Sequence, residues 1–179
     1  MTKPNLSTQT LLLSDTRVGA LLLEANDNGL CGVSFTKLSA APAAVLDQQM
    51  RSGGLPNQYL QSAARQLRDY FNGRLKIFDV PLDLSALPAF TRAVLEQTRD
   101  IGWGKVVTYG ELAASMGKPK SARAVGGALG RNPITIIIPC HRVLAHDGSL
   151  HGYSAHGGLA VKALLLQLEG QQVENDRVI

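Results

Sequence analysis

The most constraining feature of the sequence is a β-branched run that ends at a proline. Residues Ile134–Ile138 are four isoleucines and one threonine, and such side chains fit a pleated, buried surface best. Pro139 cannot donate a ladder hydrogen bond, so the chain must turn out of a sheet there. The pattern predicts a buried strand followed by an abrupt bend, in a chain of 179 residues that can enclose a sizeable core.

The bend carries a cysteine beside two basic side chains. Cys140, His141 and Arg142 follow Pro139 directly. Nearby positive charge raises the share of thiolate, the nucleophilic form of a thiol, so the pattern predicts a reactive Cys140. Cys31 lies in an apolar run without a neighbouring cation and is expected to be a small buried hydrophobic residue.

Histidines recur at every fifth position from the same bend, which raises the question of a metal site. The four are His141, His146, His151 and His156. A spacing of five matches neither the helical nor the strand period, and the intervening Asp147-Gly148 and Gly152 indicate a loop. We therefore expect no metal and no cofactor.

Composition and charge narrow the class of protein. The two cysteines exclude a disulfide scaffold and favour a reducing compartment, so a cytoplasmic location is expected. No apolar run approaches the length of a membrane span, and Leu11–Leu13 is too short for a signal-peptide core. Between Trp103 and Val143 the cations exceed the anions by five, which favours a polyanionic partner.

The first half of the chain reads as a small α/β unit. Turn-forming residues separate three apolar runs, which predicts an antiparallel meander of Thr10–Ser14, Ala20–Ala25 and Leu30–Thr36. Apolar residues at helical spacing predict a helix from Asn57 to Asn72. The proline-containing segment Phe78–Pro88 is expected to be a linker, which divides the chain into domains over residues 1–85 and 86–179.

The second half reads as mainly helical. A helix is expected from about Pro88 to Asp100, and Thr108 with Glu111 forms a capping-box pattern for a helix at Tyr109–Met116. Glycine and proline in Gly117–Lys120 require a turn, after which Ser121 is expected to cap a helix at Ala122–Gly130. Together the last two helices have the outline of a helix-turn-helix.

The second helix of this pair contains two adjacent glycines. Gly126 and Gly127 together cost roughly 2 kcal/mol relative to alanines in a helix interior, and Ala124 and Ala128 beside them are also small. Either another helix packs tightly there, or a bulky partner such as a nucleic-acid backbone approaches this face. The helix has no Asn or Gln to read base edges, so any DNA binding is expected to be largely independent of sequence.

The segment around Cys140 closely resembles the active site of the O6-alkylguanine-DNA alkyltransferases, the methylated-DNA–protein-cysteine methyltransferases. The similarity runs from about Phe90 to Gly170 and comprises five separated blocks in the order of that family. They are Tyr109–Ala113, Ala122–Gly127, Asn132-Pro133 with Pro139–Val143, Leu165-Leu166, and Glu169-Gly170. The resemblance implies an α/β fold, with a ribonuclease H-like N-terminal domain containing an antiparallel sheet. It also implies a mainly helical C-terminal domain with a winged helix-turn-helix.

The resemblance implies a chemistry. Cys140 would take the alkyl group from O6-alkylguanine in DNA and keep it, so that each protein acts once; O4-alkylthymine is a further candidate substrate. His141, through a water, and Glu169 would deprotonate the thiol. Tyr109 would donate to the departing guanine, and Asn132 would be the hinge between the recognition helix and the active site.

The resemblance also implies a partner, double-stranded DNA bound through the minor groove by a monomer, with cooperative assembly left open. Arg123 would enter the groove and fill the gap left by a flipped nucleotide. The other implied DNA contacts are Tyr109, Lys120, Ser121, Ala122, Ala124, Gly126, Gly127 and Arg131. The implied substrate pocket comprises Pro139, Val143, Tyr153 and Ser154, although Ala155-His156 stand where the family usually continues directly into two glycines.

Three other functions share parts of this pattern. The alkyltransferase-like proteins bind alkylated bases without repair, but they replace the cysteine that this chain keeps. A thiol hydrolase would need Cys140 and His141 to face each other, which adjacent residues of an extended chain do not do. A helix-turn-helix regulator would need base-reading side chains that the second helix lacks.

Overall fold

The computed structural model describes residues 8–14, 16–36, 57–151 and 158–179. By its internal contacts the chain divides into two compact units, Met1–Leu84 and Ser85–Ile179. No helix in the described ranges combines the length and the apolar character needed to cross a membrane.

The first unit is a three-stranded antiparallel sheet with one helix packed on it. The meander is confirmed: the strands are joined in the order β1-β2-β3, with Leu11 opposite Leu23 and Leu13 opposite Leu21. Alternate leucines on β1 and β2 are buried, as expected for strands with one face on the core. The helix α1 buries Leu60, Leu67 and neighbouring residues against this core. These elements are β1 (Gln9–Leu13), β2 (Leu21–Asn26), β3 (Gly29–Phe35) and α1 (Gln58–Phe71).

The expected linker at Phe78–Pro88 belongs in part to the first unit. Phe78 and Val80 are buried, and the backbone of Leu30 exchanges hydrogen bonds with Pro81 and Asp83 at 2.9 and 2.8 Å. The prolines do not prevent this pairing, because a proline carbonyl still accepts a hydrogen bond. The linker prediction is therefore wrong as far as Leu84.

The second unit contains four helices and short strand pairs among its described residues. Its elements are α2 (Ala89–Arg99), β4 (Val107–Thr108), α3 (Tyr109–Ser115), α4 (Ala122–Leu129), β5 (Val143–Leu144), α5 (Gly158–Leu168), β6 (Val173–Glu174) and β7 (Arg177–Val178). Strands β4 and β5 pair in parallel, and β6 and β7 form a hairpin. The capping box of Thr108 and Glu111 is confirmed. Helix α4 begins after Ser121 as expected, but the Ser121 side chain makes no capping hydrogen bond.

The isoleucine-rich run is buried as expected, but the predicted strand is wrong. Residues Ile134–Ile138 form a tight turn in which the Ile138 amide donates to the Ile134 carbonyl at 3.0 Å. The Asn132 amide takes the place of a neighbouring strand: its Oδ1 accepts from Ile134 N and its Nδ2 donates to the Ile138 carbonyl, both at 3.0 Å. Ile136 lies in the left-handed region at φ 73.

Candidate active site

Cys140 begins a single 3₁₀ turn, Cys140–Arg142, rather than ending a strand. Its side chain is nearly enclosed, with 8% of the residue exposed. Burial raises the pKa of the Cys140 thiol, while a hydrogen bond from Asn132 Nδ2 to Sγ at 3.3 Å and the nearby Lys162 partly oppose that effect. The thiol therefore needs a base to become a thiolate near neutral pH.

His141, which follows Cys140 in the chain, forms a buried pair with the carboxylate of Glu169. His141 Nε2 is 3.0 Å from Glu169 Oε1, and both residues are buried. Burial by itself would raise the pKa of Glu169, but the hydrogen bonds from His141 and Arg142 lower it to about 2. Glu169 is thus ionised at neutral pH and can accept the hydrogen bond from His141.

The Glu169 contact determines the state of the imidazole. Because a carboxylate can only accept, Nε2 of His141 must carry a proton, which leaves Nδ1 as the basic nitrogen of the neutral ring. Burial lowers the pKa of His141, so the ring is neutral near pH 7. Nδ1 is buried without a hydrogen-bond partner among the described residues. This nitrogen is therefore available to accept a proton.

Arg142 is engaged by the carboxylate and is not a free cation beside the sulfur, as the sequence pattern suggested. Its Nε and Nη2 donate to the two oxygens of Glu169 at 2.7 and 2.8 Å, and its Nη1 donates to the Ile101 carbonyl. This two-pronged contact fixes the orientation of Glu169. The turn that carries Cys140 is in this way joined to the end of α5, where Glu169 follows Leu168.

Lys162 is a site residue that the sequence reasoning missed. It is completely buried, and its Nζ donates to the Val143 carbonyl at 2.7 Å. Burial lowers its pKa to about 8, so it is largely charged at neutral pH, and it lies close enough to Cys140 to favour the thiolate. The available signal was that Lys162 is the one charged residue of the apolar helix α5.

Tyr109 lies where α3 meets α4 and interacts electrostatically with the Cys140 thiol. It is the first residue of α3, and its hydroxyl lies 3.4 Å from the His151 carbonyl. Its ring lies beside Gly126 of α4, where an added Cβ would be 3.6 Å from the nearest ring carbon. Burial raises the pKa of the Tyr109 phenol, and proximity to Cys140 raises it further. The hydroxyl therefore stays protonated and can donate a hydrogen bond.

The predicted DNA-binding residues form one side of helix α4 and its flanks. Arg123, Ala124 and Gly127 are exposed on the helix, and Lys120 and Arg131 are exposed at its ends. Ser121, Ala122 and Gly126 are half-buried. The buried side, Val125, Ala128 and Leu129, is the side that packs in the core.

The two glycines of α4 are not explained by a tightly packed helix. A Cβ on Gly127 would meet only the end of the Arg131 side chain, at 3.8 Å, and one on Gly126 would meet the Tyr109 ring at 3.6 Å. Ordinary contact distances leave room for alanine at both positions. The first of the two explanations considered for these glycines is therefore wrong.

A cavity of about 600 Å³ lies beside the exposed face of α4. Its walls come from the start of α3, from α4 and from the segment after β5, and they comprise Thr108, Tyr109, Gly110, Ala122, Arg123, Gly126, Ala145, His146 and His151. Its volume suits a ligand of nucleotide size. Pro139 and Val143 are buried and do not line it, and Tyr153, Ser154 and Ala155-His156 lie outside the described residues.

Cys31, the second cysteine, has a different environment. It is half-buried in β3, not fully buried as expected, and burial followed by the charges of Glu24 and Asp83 raises the pKa of its thiol. The described residues contain no group of three or more His, Cys, Asp or Glu side chains arranged to hold a metal ion. Of the two cysteines, Cys140 is thus the one with neighbouring groups, Asn132 and Lys162, that favour its thiolate.

Comparison with known proteins places both units in one family. Residues 89–171 match the 6-O-methylguanine DNA methyltransferase DNA-binding domain, and residues 10–84 match the ribonuclease-like domain of the same methyltransferases. The methylated-DNA–protein-cysteine methyltransferase of Methanosarcina acetivorans is 41% identical over 153 residues, which cover 86% of this chain and 93% of the relative. That of Haemophilus influenzae is also 41% identical over 153 residues, which cover 85% of this chain and 81% of the relative.

Solved structures agree with the sequence relatives. The Mycobacterium tuberculosis O6-methylguanine methyltransferase superposes with a TM-score of 0.75 at 34% identity, over 95% of this chain and 97% of that one. The Mycobacterium tuberculosis OGT in complex with DNA superposes with a TM-score of 0.72 at 36% identity, over 90% and 91% of the two chains. The resemblance of Pro139–Val143 and its accompanying blocks is confirmed. The chain belongs to the 6-O-methylguanine DNA methyltransferase family.

Proposed function

We propose that this protein repairs DNA by transferring the alkyl group of O6-alkylguanine to its own Cys140. The observation that carries the proposal is the buried cluster in which Asn132 contacts Cys140 Sγ while the adjacent His141 is held by Glu169. The names of the relatives, and the complex of one structural neighbour with DNA, support the same activity.

The geometry supports a displacement reaction at the alkyl carbon. The thiol proton passes through a water to His141 Nδ1, the nitrogen that the Glu169 contact leaves basic. The Cys140 thiolate then forms a C–S bond as the C–O6 bond breaks, and the electron pair of that bond stays with guanine. Tyr109, whose hydroxyl stays protonated, donates a proton to the departing base.

Access to the alkyl group requires the nucleotide to leave the base stack, at a cost of a few kcal/mol. The exposed Arg123, second residue of α4, is well placed to fill the space that the nucleotide vacates. Alkylated bases occur in every DNA sequence, so their recognition cannot depend on reading base edges. The face of α4 has small side chains and flanking cations, which suits binding in the minor groove with contacts to phosphates. The cavity between Tyr109 and Arg123 offers the flipped nucleotide a place to pass.

The product explains the stoichiometry of the proposed reaction. A thioether on Cys140 is chemically stable, so the alkyl group is expected to stay on the sulfur. One protein therefore removes one alkyl group. The proposal also includes action as a monomer and without a cofactor. O4-alkylthymine, with the same type of alkyl–oxygen bond, is a second candidate substrate for the same thiolate.

Intact-protein mass spectrometry after mixing with a methylated oligonucleotide tests the proposal directly. We expect a gain of about 14 Da, because S–H is replaced by S–CH₃, and we expect it on the peptide that contains Cys140. The C140A variant should show no gain but keep DNA binding, and the matched C31A variant should react like the wild type. A gain in C140A would refute the assignment of the acceptor.

The same measurement separates the proposal from the alternatives. A protein that binds alkylated bases without repair would gain no mass, and a thiol hydrolase would turn over repeatedly without a lasting adduct. The adjacent Cys140 and His141 share one 3₁₀ turn, and His141 Nε2 is directed to Glu169, an arrangement that does not favour a directly paired Cys–His dyad.

A further inference from the structure

Two exposed histidines share a cavity with the proposed DNA-intercalating arginine. His146 and His151 line the same space of about 600 Å³ as Arg123 and Tyr109, and the function described above uses neither histidine. Both lie in the segment that follows β5 and line the cavity together with residues from the start of α4. Both are exposed, unlike the buried His141.

We propose that His146 and His151 form a second DNA-contacting wall, which binds backbone phosphates when the imidazoles are protonated. This inference rests on the proposed function and adds a contact surface and a pH dependence to it. Histidine is in general the side chain whose charge changes between pH 5 and 8, whereas arginine keeps its charge. The wall would then be more cationic, and the affinity for DNA higher, on the acid side of that range.

The charges that face the two histidines from neighbouring elements are compatible with this role. From α4 comes Arg123, and from α3 come the uncharged phenol of Tyr109 and the carboxylate of Glu111. Hydrogen bonds from Thr108, first from its backbone, lower the pKa of Glu111, and the His146 imidazole lowers it further. Glu111 is therefore ionised over the whole range and close enough to His146 to interact with it, but its charge is also held in the capping box.

The remaining charge on the same segment is neutralised nearby. Asp147 follows His146, and hydrogen bonding by Ser149 followed by the charge of Arg177 lowers the pKa of its carboxyl. Arg177 Nη2 lies 2.9 Å from Asp147 Oδ2. Protonation of the histidines thus adds positive charge to a wall whose two carboxylates already have partners.

The backbone of His151 is also connected to the proposed chemistry. Its carbonyl lies 3.4 Å from the Tyr109 hydroxyl. A phosphate held by the His151 side chain would therefore lie close to the residue proposed to donate to guanine. Contacts of the two histidines would orient the DNA strand that carries the alkylated base. The residues of α4 would bind the minor groove.

The test is the affinity of the whole protein for an undamaged, fluorescently labelled DNA duplex, measured by anisotropy. We expect binding roughly tenfold tighter at about pH 6 than at about pH 8, because each phosphate contact adds a counterion-release contribution. At the lower pH, the slope of log affinity against log salt should be less steep by about 1.8 in the H146Q/H151Q double variant, since two phosphate contacts are lost.

A matched variant controls for general loss of charge. R123Q removes a guanidinium, a permanently charged group, from the same cavity, so it should weaken binding at both pH values and keep the pH dependence. A pH dependence that is equal in the wild type and in H146Q/H151Q, or absent from the wild type, would overturn the inference. Absence of any DNA binding by the wild type at either pH would instead count against the proposed function itself.

Discussion

The Glu169 carboxylate determines which nitrogen of His141 carries a proton. Oε1 of Glu169 is 3.0 Å from Nε2 of His141 and accepts its hydrogen, so the neutral ring presents a basic Nδ1. The same oxygen accepts from Arg142 at 2.8 Å, and Arg142 also reaches the second oxygen. The imidazole is thereby fixed in orientation and in tautomer before any substrate arrives.

Replacing this carboxylate should slow transfer and reduce stability. In E169Q the tautomer of His141 is no longer enforced, and we expect a loss of roughly 10²-fold or more in the transfer rate, the usual contribution of a positioned base. The variant also leaves Arg142 buried without its counter-charge, which costs about 3–5 kcal/mol of unfolding free energy. Single-turnover kinetics and denaturant unfolding measure both effects, with the exposed carboxylate variant E174Q as the control.

The pH dependence of that stability difference has a defined sign. The pKa of Glu169 is lowered to about 2 in the folded protein, so its stabilising contribution is complete above the ordinary glutamate pKa of about 4.3. It is lost as the pH falls through about 2, when the folded protein takes up the proton. The difference between wild type and E169Q should therefore shrink over that interval; a constant difference would contradict the assigned ion pair.

Arg142 should hold down the basicity of His141. Burial lowers the pKa of His141, Glu169 opposes this, and the nearby charge of Arg142 lowers it again. Removing that charge in R142Q favours the imidazolium, so the pKa of His141 should rise. An NMR titration of the ring measures the shift, with R99Q, an exposed arginine of α2, as the control. An unchanged titration in R142Q would show that Arg142 acts only as a structural brace.

Lys162 should make the Cys140 thiol more acidic. The K162M variant keeps much of the buried volume but removes the charge that favours the thiolate, so the pKa of Cys140 should rise. The rate of thiol alkylation by iodoacetamide, followed against pH, reports that pKa, and each unit of increase lowers the thiolate share about tenfold at neutral pH. In the wild type the effect of Lys162 should fade as the pH rises through about 8. The exposed K105M is the matched control, and equal profiles for K162M and wild type would rule out the electrostatic role.

The glycine at position 127 should matter for DNA and not for the fold. A Cβ there meets only the flexible end of Arg131, at 3.8 Å, so G127A should stabilise α4 by about 1 kcal/mol. The added methyl group lies on the exposed face, where it should obstruct a DNA backbone and weaken binding several-fold. Thermal unfolding and DNA anisotropy measure the two effects, which should have opposite signs. A stabilised variant with undiminished DNA affinity would mean that DNA does not approach this face.

Arg123 should be needed for duplex DNA but not for the chemical step. In R123A the flipped nucleotide leaves an unfilled gap, so repair in a duplex should slow by roughly tenfold or more, since unstacking costs a few kcal/mol. The reaction with free O6-alkylguanine base requires no flipping and serves as the internal control. Equal slowing on both substrates would contradict the intercalating role.

Local patterns in the sequence were sufficient for most of the fold. The capping box at Thr108 and Glu111 depends on residues three apart, and the strand meander depends on turn residues between short apolar runs. Such signals involve residues close together in the chain, so these elements can be predicted without knowledge of the tertiary structure. The resemblance of Pro139–Val143 to a known motif then identified the cluster around Cys140.

Two features could not be predicted because tertiary contacts produce them. The run Ile134–Ile138 forms a turn because the Asn132 amide satisfies both of its ends, a contact that strand propensity does not include. Lys162 is buried beside Cys140 because α5 packs against the 3₁₀ turn, whereas a lone lysine in an apolar helix would ordinarily extend to solvent. The burial of Lys162 thus depends on tertiary packing, which local sequence patterns do not indicate.

The side chain of Asn132 has a mechanical consequence. It lies just beyond the end of α4 and holds both ends of the isoleucine turn together with the Cys140 sulfur. Inside that turn the left-handed Ile136 (φ 73) costs about 1–3 kcal/mol and persists only where its surroundings leave no alternative. One side chain therefore connects the residues that follow α4 to the sulfur of Cys140. We expect any ligand that displaces the end of α4 to displace the Cys140 sulfur as well.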